Sequence, residues 1–418
     1  MLFRIISERS SEPFRFRISS VTDEAIHAIF DSVAAVDMHT HLFPPQFGTL
    51  ALSGVDELLT YHYLEAEFFR LRTMSPAQYF ALDKGARAEA IWDALFLRNA
   101  PISEAAMGVV TVLTSFGLEV NASGLTRARE FFRSCEPIRH YSEVLRLAKL
   151  DSVIMTNDPL DEHEARVWHE GAVIAPRFQA ALRLDRIVKE TRQRWTSSAE
   201  IRAFLEQWFV AMQPRYAALS LEDLHVFFEE SVGGRVLREA VLPVCREQGV
   251  PLALMVGVRR GVNPAIGLAA DGVRRSDMRH LNALCREYEG NRFLATYLSL
   301  ENQQELCVTA RLFANLMPFG CWWFLNNCSI MERVTQHRLE MLGTTFVAQH
   351  SDARVLEQVI YKWKTTRRVV AHAYARSYER LVEAGYPANG AIIHSDADKL
   401  LRGNFEAFTS VRQPERLS

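Results

Sequence analysis

The segment Ala34-Ala35-Val36-Asp37-Met38-His39-Thr40-His41-Leu42-Phe43-Pro44-Pro45 decides how the rest of the chain is read. Ala34–Met38 is a short apolar run, the pattern of a strand covered on both faces. Proline cannot continue a central strand, so Pro44-Pro45 places the two histidines at the strand's C-terminal end. Side chains two apart on a strand share a face, with Cα atoms roughly 6.5–7 Å apart. His39 and His41 can therefore converge on one ion at the roughly 2.0–2.1 Å of a zinc–imidazole bond. A pair of structural histidines, each bonded to backbone, is the plainer alternative. Asp37 and the two prolines favour the strand-end site. Two neutral imidazoles still leave a divalent ion short of ligands and of negative charge.

The missing acid is sought at the other end of the chain, in Gln349-His350-Ser351-Asp352-Ala353-Arg354. This stretch precedes a helical pattern with Leu356, Val359, Ile360 and Trp363 on one face. Taken alone, Asp352 reads as a carboxylate at a helix start, favoured by the helix dipole. In a closed barrel, however, the eighth strand neighbours the first, which sets Asp352 beside His39 and His41. Arg354, two residues on, offers a planar fork suited to a substrate carboxylate, or is an ordinary exposed first-turn arginine. His350 serves equally as a further ligand or as a structural polar residue and is assigned no role.

Between these two ends, short apolar runs alternate with helical stretches. Candidate strands are Ala34–Met38, Ser152–Thr156, Phe178–Leu184, Tyr216–Leu219, Pro251–Val258, Phe293–Leu298, Asn315–Trp322 and Thr345–Ala348, eight in all. That alternation predicts an α/β fold, a distorted (β/α)8 barrel forming one domain over 1–418. No GxGxxG or GxxxxGK[ST] is present to support a nucleotide-binding sheet. From about 55 to 150 the pattern is almost wholly helical, a helical insertion after the first strand. Thr22, Ser75-Pro76 and Ser103-Glu104 read as helix starts.

Composition limits the alternatives. The 418 residues are 48% hydrophobic and 23% charged with a net charge of −2, so no basic footprint for nucleic acid is visible. Six cysteines at irregular spacing, none in a CxxC pair, fit a reduced cytoplasmic protein better than a disulfide scaffold. Charges interrupt the N-terminal MLFRIISERSSEPFRFR before a signal-type apolar core can build. The most apolar long stretch, Leu306 to Leu325, contains Arg311, Asn315, Pro318 and Gly320 and reads as a buried helix-turn-strand, not a membrane span.

Several further residues are ambiguous on their own. Tyr61-His62-Tyr63 falls in the first predicted helix after the histidine motif, where an aromatic stripe usually packs a core. Arg183, within the apolar strand Phe178–Leu184, needs a partner such as Asp185, another internal acid or a ligand carboxylate. Thr156-Asn157-Asp158-Pro159 reads as an Asx-Pro turn ending the second strand. Trp322-Trp323 could wall a sugar site or pack a core.

Taken in order, these segments resemble a family. Asp37-Met38-His39-Thr40-His41-Leu42, Asp56-Glu57-Leu58-Leu59 with Tyr61-His62-Tyr63, Thr156-Asn157-Asp158-Pro159, Gly257-Val258-Arg259-Arg260 with Asn263-Pro264, Trp322-Trp323-Phe324 and Ser351-Asp352-Ala353-Arg354 resemble the uronate isomerases of the amidohydrolase superfamily. The likeness covers roughly 30 to 410. The stretches LLTYHYL, MTNDP, FGCWWF and QHSDARVLEQ look most like the short, divergent branch that converts D-galacturonate to D-tagaturonate. The resemblance implies one divalent metal, most commonly Zn2+, held by His39, His41 and Asp352. It implies aldose–ketose isomerisation of a hexuronate, with His62 and Tyr63 in the active site and Arg354 binding substrate. Arg183 matches a strand-three arginine, though its neighbours differ from the family's usual Arg-Pro-Asp. Met255 stands where longer uronate isomerases place a strand-five histidine.

Asp352 and Tyr63 are thus the acid/base candidates, with His62 beside them. Alternatives are a metal-dependent hydrolase or decarboxylase on the same barrel and a non-catalytic sugar-acid binding protein. The predicted strands four to six contain no His or Lys, which weighs against hydrolysis. Expected partners are a small hexuronate, with no nucleic acid and no membrane; assembly into a homo-oligomer stays open.

Overall fold

The computed structural model describes residues 22–410, so the N-terminal segment quoted above lies outside it. Seven parallel strands form one sheet in chain order: β1 (Ala35–Thr40), β2 (Leu150–Asn157), β3 (Phe178–Arg183), β4 (Ala217–Leu221), β5 (Leu252–Val256), β6 (Phe293–Tyr297) and β7 (Leu316–Pro318). Each pairs with its sequence neighbour, as helices returning the chain on the outside require. Val36, Ile154, Ala181, Ala218, Ala253 and Leu294 fill the interior of the curled sheet. A second apolar layer, with Leu182, Leu219 and Leu254, packs the other face against the helices. The fold is the expected α/β distorted barrel.

The distortion lies at the seam. The expected eighth strand, Thr345–Ala348, is reduced to a single bridge between Phe319 and Val347. The backbone of Ala348 is taken instead by Leu400, whose carbonyl accepts its N–H at 3.0 Å. The seam closes further along: Asp352 N–H donates to His39 O at 3.1 Å and His41 N–H to Ala353 O at 2.7 Å. The residues sewing the last element to the first are therefore the candidate ligands themselves.

The helical region after β1 follows its local signals, with one break. Thr22, Ser75 and Ser103 each accept an N–H from the first turn of the helix they precede, and Ser75 completes a reciprocal box with Gln78. The first predicted helix is split: Val55–Leu59 ends, and His62–Arg70 begins anew after an extended Tyr61 (φ −71°, ψ 139°). His62 and Tyr63 thus sit in a helix's first turn instead of within one. Leu306–Leu325 is the expected helix (Gln303–Leu312), turn and strand, and no helix among the described residues is long and apolar enough to cross a membrane. All six cysteines are free.

Candidate active site

Against β2 the register of β1 shifts between Asp37 and Thr40. Across that irregularity the consecutive residues Met38 and His39 both face the barrel interior. His39 is oriented from behind. Tyr216 donates its hydroxyl hydrogen to Met38 O at 2.6 Å, so its oxygen, 3.0 Å from His39 Nδ1, is left to accept. Nδ1 therefore carries the proton, and the lone pair of Nε2 is turned to the cavity, the orientation a metal ligand takes from its supporting hydrogen bond.

Asp352 is held by more than its own turn. Its φ of +52° lies in the left-handed region, at a cost of about 1–2 kcal/mol for a residue with a Cβ. Four contacts fix the flanking peptides. Ser351 N–H donates to Asp37 Oδ1 (2.9 Å), Lys362 Nζ to Ser351 O (2.6 Å), Arg354 N–H to Gln358 Oε1 (2.9 Å), and Trp363 Nε1 braces Asp37 Oδ2 (2.7 Å). Burial pushes the Asp37 carboxyl up to about 6 in spite of those bonds. The outcome is a carboxylate whose Oδ1 lies 3.6 Å from His39 Nε2 and 3.4 Å from His41 Nε2, while Oδ2 accepts from Trp322 Nε1 at 3.2 Å.

The charge states follow from the surroundings. Burial lowers His39 to about 3, and burial with the nearby Arg354 charge lowers His41 to about 4. Burial would raise the Asp352 carboxyl, but hydrogen bonding and charge at His41, with His39 and His350, bring it well below the usual carboxylate range. At neutral pH the cluster is two neutral imidazoles and one carboxylate, the protonation state that a divalent cation needs of its ligands. One donor atom from each of the three lies within 4.8 Å of the others. Two donors 2.0–2.1 Å from a tetrahedral ion stand about 3.4 Å apart, so the measured 3.4 and 3.6 Å suit one ion with a position left open for substrate.

Around this cluster is a cavity open to solvent. Arg354, Arg183 and His62 line it. Arg354's guanidinium has no hydrogen bond or ion pair among the described residues, whereas Arg183 Nε donates to Asp185 Oδ2 at 2.9 Å. Met255 contributes a thioether from β5, and β4 contributes Ala218 and Ser220; none of these can serve as an imidazole or amine ligand. Trp322 and Trp323 form a wall. His62 packs edge-on against Trp323 (ring centroids 5.5 Å apart), and burial, with the Arg354 charge, lowers it to about 3.

Tyr63 stands apart. It lines a neighbouring cavity with Glu67, Glu104 and Lys362, and its hydroxyl is sealed without a hydrogen bond; His62 and Trp323 border both spaces. Tyr61, to which the motif reading assigned no role, lines the main cavity, 4.9 Å ring to ring from Tyr63. His350 is buried 5.4 Å from the His39 ring, outside the cavity lining.

Arg260, quoted in the resemblance but given no role, and Asp271, which sequence reasoning missed, form an ion pair at the cavity mouth on a hairpin pairing Val258–Arg259 with Gly272–Val273. Gly257 begins that hairpin at φ +103°, where a Cβ would meet Arg274 O at 2.8 Å, so only glycine fits. Periodicity carries no signal for such a loop.

No family model and no curated protein sequence matches the chain. Solved structures do. A uronate isomerase from Bacillus halodurans is 42% identical, with a TM-score of 0.90 over 94% of this chain and 96% of that one. A uronate isomerase from Thermotoga maritima (TM-score 0.74, 93% and 98% covered) and a glucuronate isomerase from Caulobacter crescentus (0.73, 94% and 95%) are each 15% identical and share the fold. Near-complete coverage at 42% identity, on the barrel expected from its motifs, makes this chain a member of the uronate isomerase family.

Proposed function

We propose that the protein interconverts a hexuronate and its 2-keto isomer, D-galacturonate with D-tagaturonate, D-glucuronate with D-fructuronate, or both, using one divalent ion, zinc first among them. The observation that carries this reading is the unpaired guanidinium of Arg354, two residues from Asp352 and facing the same cavity as the His39–His41–Asp352 cluster. A half-buried guanidinium that lines the cavity with no carboxylate partner is free to take one, and a substrate carboxylate supplies it.

His39, His41 and Asp352 would hold the ion. When bound, it polarises a substrate oxygen and lowers the pKa of a hydroxyl. Isomerisation takes a proton from C2 and delivers one to O1, then takes the O2 proton and delivers one to C1. Arg354 anchors the C6 carboxylate, with the nitrogens of Arg183 not engaged by Asp185 alongside. Asp352, kept ionised, accepts the hydroxyl proton. His62, neutral at physiological pH, offers an N–H to the oxygen on which charge develops. Tyr63 stands outside the main cavity, edge-on against the His62 ring at 4.5 Å, and its part is to position that ring. Trp322 and Trp323 keep water from the enediol. The absence of a His or Lys among the lining residues of β4 and β5 supports isomerisation over hydrolysis.

The direct test is to incubate metal-analysed protein with D-galacturonate and with D-glucuronate and assay for the ketouronates. Formation of either product supports the reading. Binding without turnover of both acids overturns it.

A further inference from the structure

Away from the cavity, helix Asp23–Ser32 lies against helix Gln358–Glu383, with Phe30 and Tyr374 rings 5.2 Å apart. Asp23 and His27, four residues apart, share one face of the first helix. His372 on the second helix brings its ring to 6.4 Å from that of His27. One donor atom from each of Asp23, His27 and His372 lies within 4.8 Å of the other two.

The spacing within this group is informative. His27 Nε2 stands 3.8 Å from Asp23 Oδ1, and His372 Nε2 stands 3.6 Å from Glu332 Oε1. Both separations are too long for a hydrogen bond. Neither imidazole makes a hydrogen bond among the described residues. Donors that approach one another this closely without bonding are arranged as they would be around a shared ion, whose ligands stand about 3.4 Å apart in a tetrahedral site. His39, His41 and Asp352 show the same pattern at 3.4 and 3.6 Å. The surface side chains are partly exposed, so rotamer changes can close the remaining gap.

We propose that Asp23, His27 and His372 form a second divalent-metal site, outside the barrel, for a borderline ion of the zinc type. Two imidazoles and one carboxylate select zinc, nickel or copper over magnesium or calcium, which prefer all-oxygen ligation. Water completes the shell; Glu332, next to His372, is already engaged through Oε1 by Arg376 at 3.3 Å and is not counted among the ligands. The ion would clamp the helix that leads into β1 onto the long C-terminal helix, stabilising the fold by mass action without entering catalysis.

The experiment is zinc titration of the full-length protein by calorimetry, with elemental analysis after dialysis, for wild type, His372→Gln, His27→Gln and the surface control His163→Gln. Wild type and His163→Gln should bind about one equivalent more than His372→Gln or His27→Gln. The extra equivalent should raise the melting temperature of wild type as free zinc increases, and turnover should be the same in all four proteins. Both imidazoles are partly exposed and neither makes a hydrogen bond among the described residues, so the substitutions should leave folding intact. Equal stoichiometry and equal zinc-dependent melting in wild type and His372→Gln would overturn the proposal.

Discussion

Replacing Arg354 with lysine tests the anchoring of substrate most directly. The variant keeps the positive charge and loses the planar fork. A lysine can make one strong hydrogen bond to a carboxylate where arginine makes two parallel ones. A hydrogen bond to a charged group contributes about 1.5–3 kcal/mol, so kcat/KM should fall by about 10- to 150-fold. The carboxylate does not react, so the interaction is shared by ground and transition states, and the loss should appear mainly in KM. Because the guanidinium makes no hydrogen bond or ion pair within the described residues and the lysine keeps the charge, the melting temperature and metal content should hardly move. The assay is steady-state kinetics on both hexuronates, repeated with their methyl esters. The esters carry no charge, so wild type and variant should converge on them. A kcat/KM within twofold of wild type on the free acids, at equal metal content, would refute the clamp and direct attention to Arg183.

Three further outcomes are expected. His41→Ala should lower both bound metal and turnover; full turnover in chelator-treated protein shown by elemental analysis to be metal-free would defeat the metal assignment. Tyr63→Phe, which keeps the ring against His62 and removes only a hydroxyl sealed from the cavity, should retain the metal and change kcat less than about threefold, and wild-type turnover in D2O should place deuterium at C1 of the ketouronate, whereas complete retention of a C2 label would indicate a hydride shift and exclude proton transfer. Burial raises the Glu164 carboxyl to about 8, although Asp158 N–H and Asn157 Nδ2 donate to it at 2.9 and 3.2 Å. The folded state then holds a proton that the unfolded state releases near 4.5, so stability should fall as pH rises from about 4.5 to 8. Each pH unit in that window corresponds to about 1.4 kcal/mol, so Glu164→Gln should gain up to about 3 kcal/mol at pH 7 in denaturant unfolding; a variant no more stable than wild type at pH 7–8 would show that Glu164 folds ionised.

What the sequence alone determined was whatever chemistry acts over a few residues. The period of two that aims His39 and His41 at one point, the serine and threonine caps at Thr22, Ser75 and Ser103, and the apolar runs of β2 to β6 are all local. Asp352 was legible for a different reason: a barrel closes on itself, so a motif after the last strand meets one after the first. Only the tertiary structure decided the rest. The break at Tyr61 turns Tyr61 and His62 to the cavity and Tyr63 to its neighbour, with His62 edge-on against Trp323. The eighth strand yields to a competing carbonyl at Leu400, fifty residues downstream. Tyr216 sets the tautomer of His39, Lys362 and Asp37 hold the strained turn at Asp352, and the hairpin carries Arg260 and Asp271 to the cavity mouth. The bonds from Ala348 to Leu400, from Tyr216 toward His39 and from Ser351 to Asp37 each join residues far apart in the chain through one directed hydrogen bond. Such a bond leaves no periodicity in the sequence, because its geometry exists only once the barrel has closed.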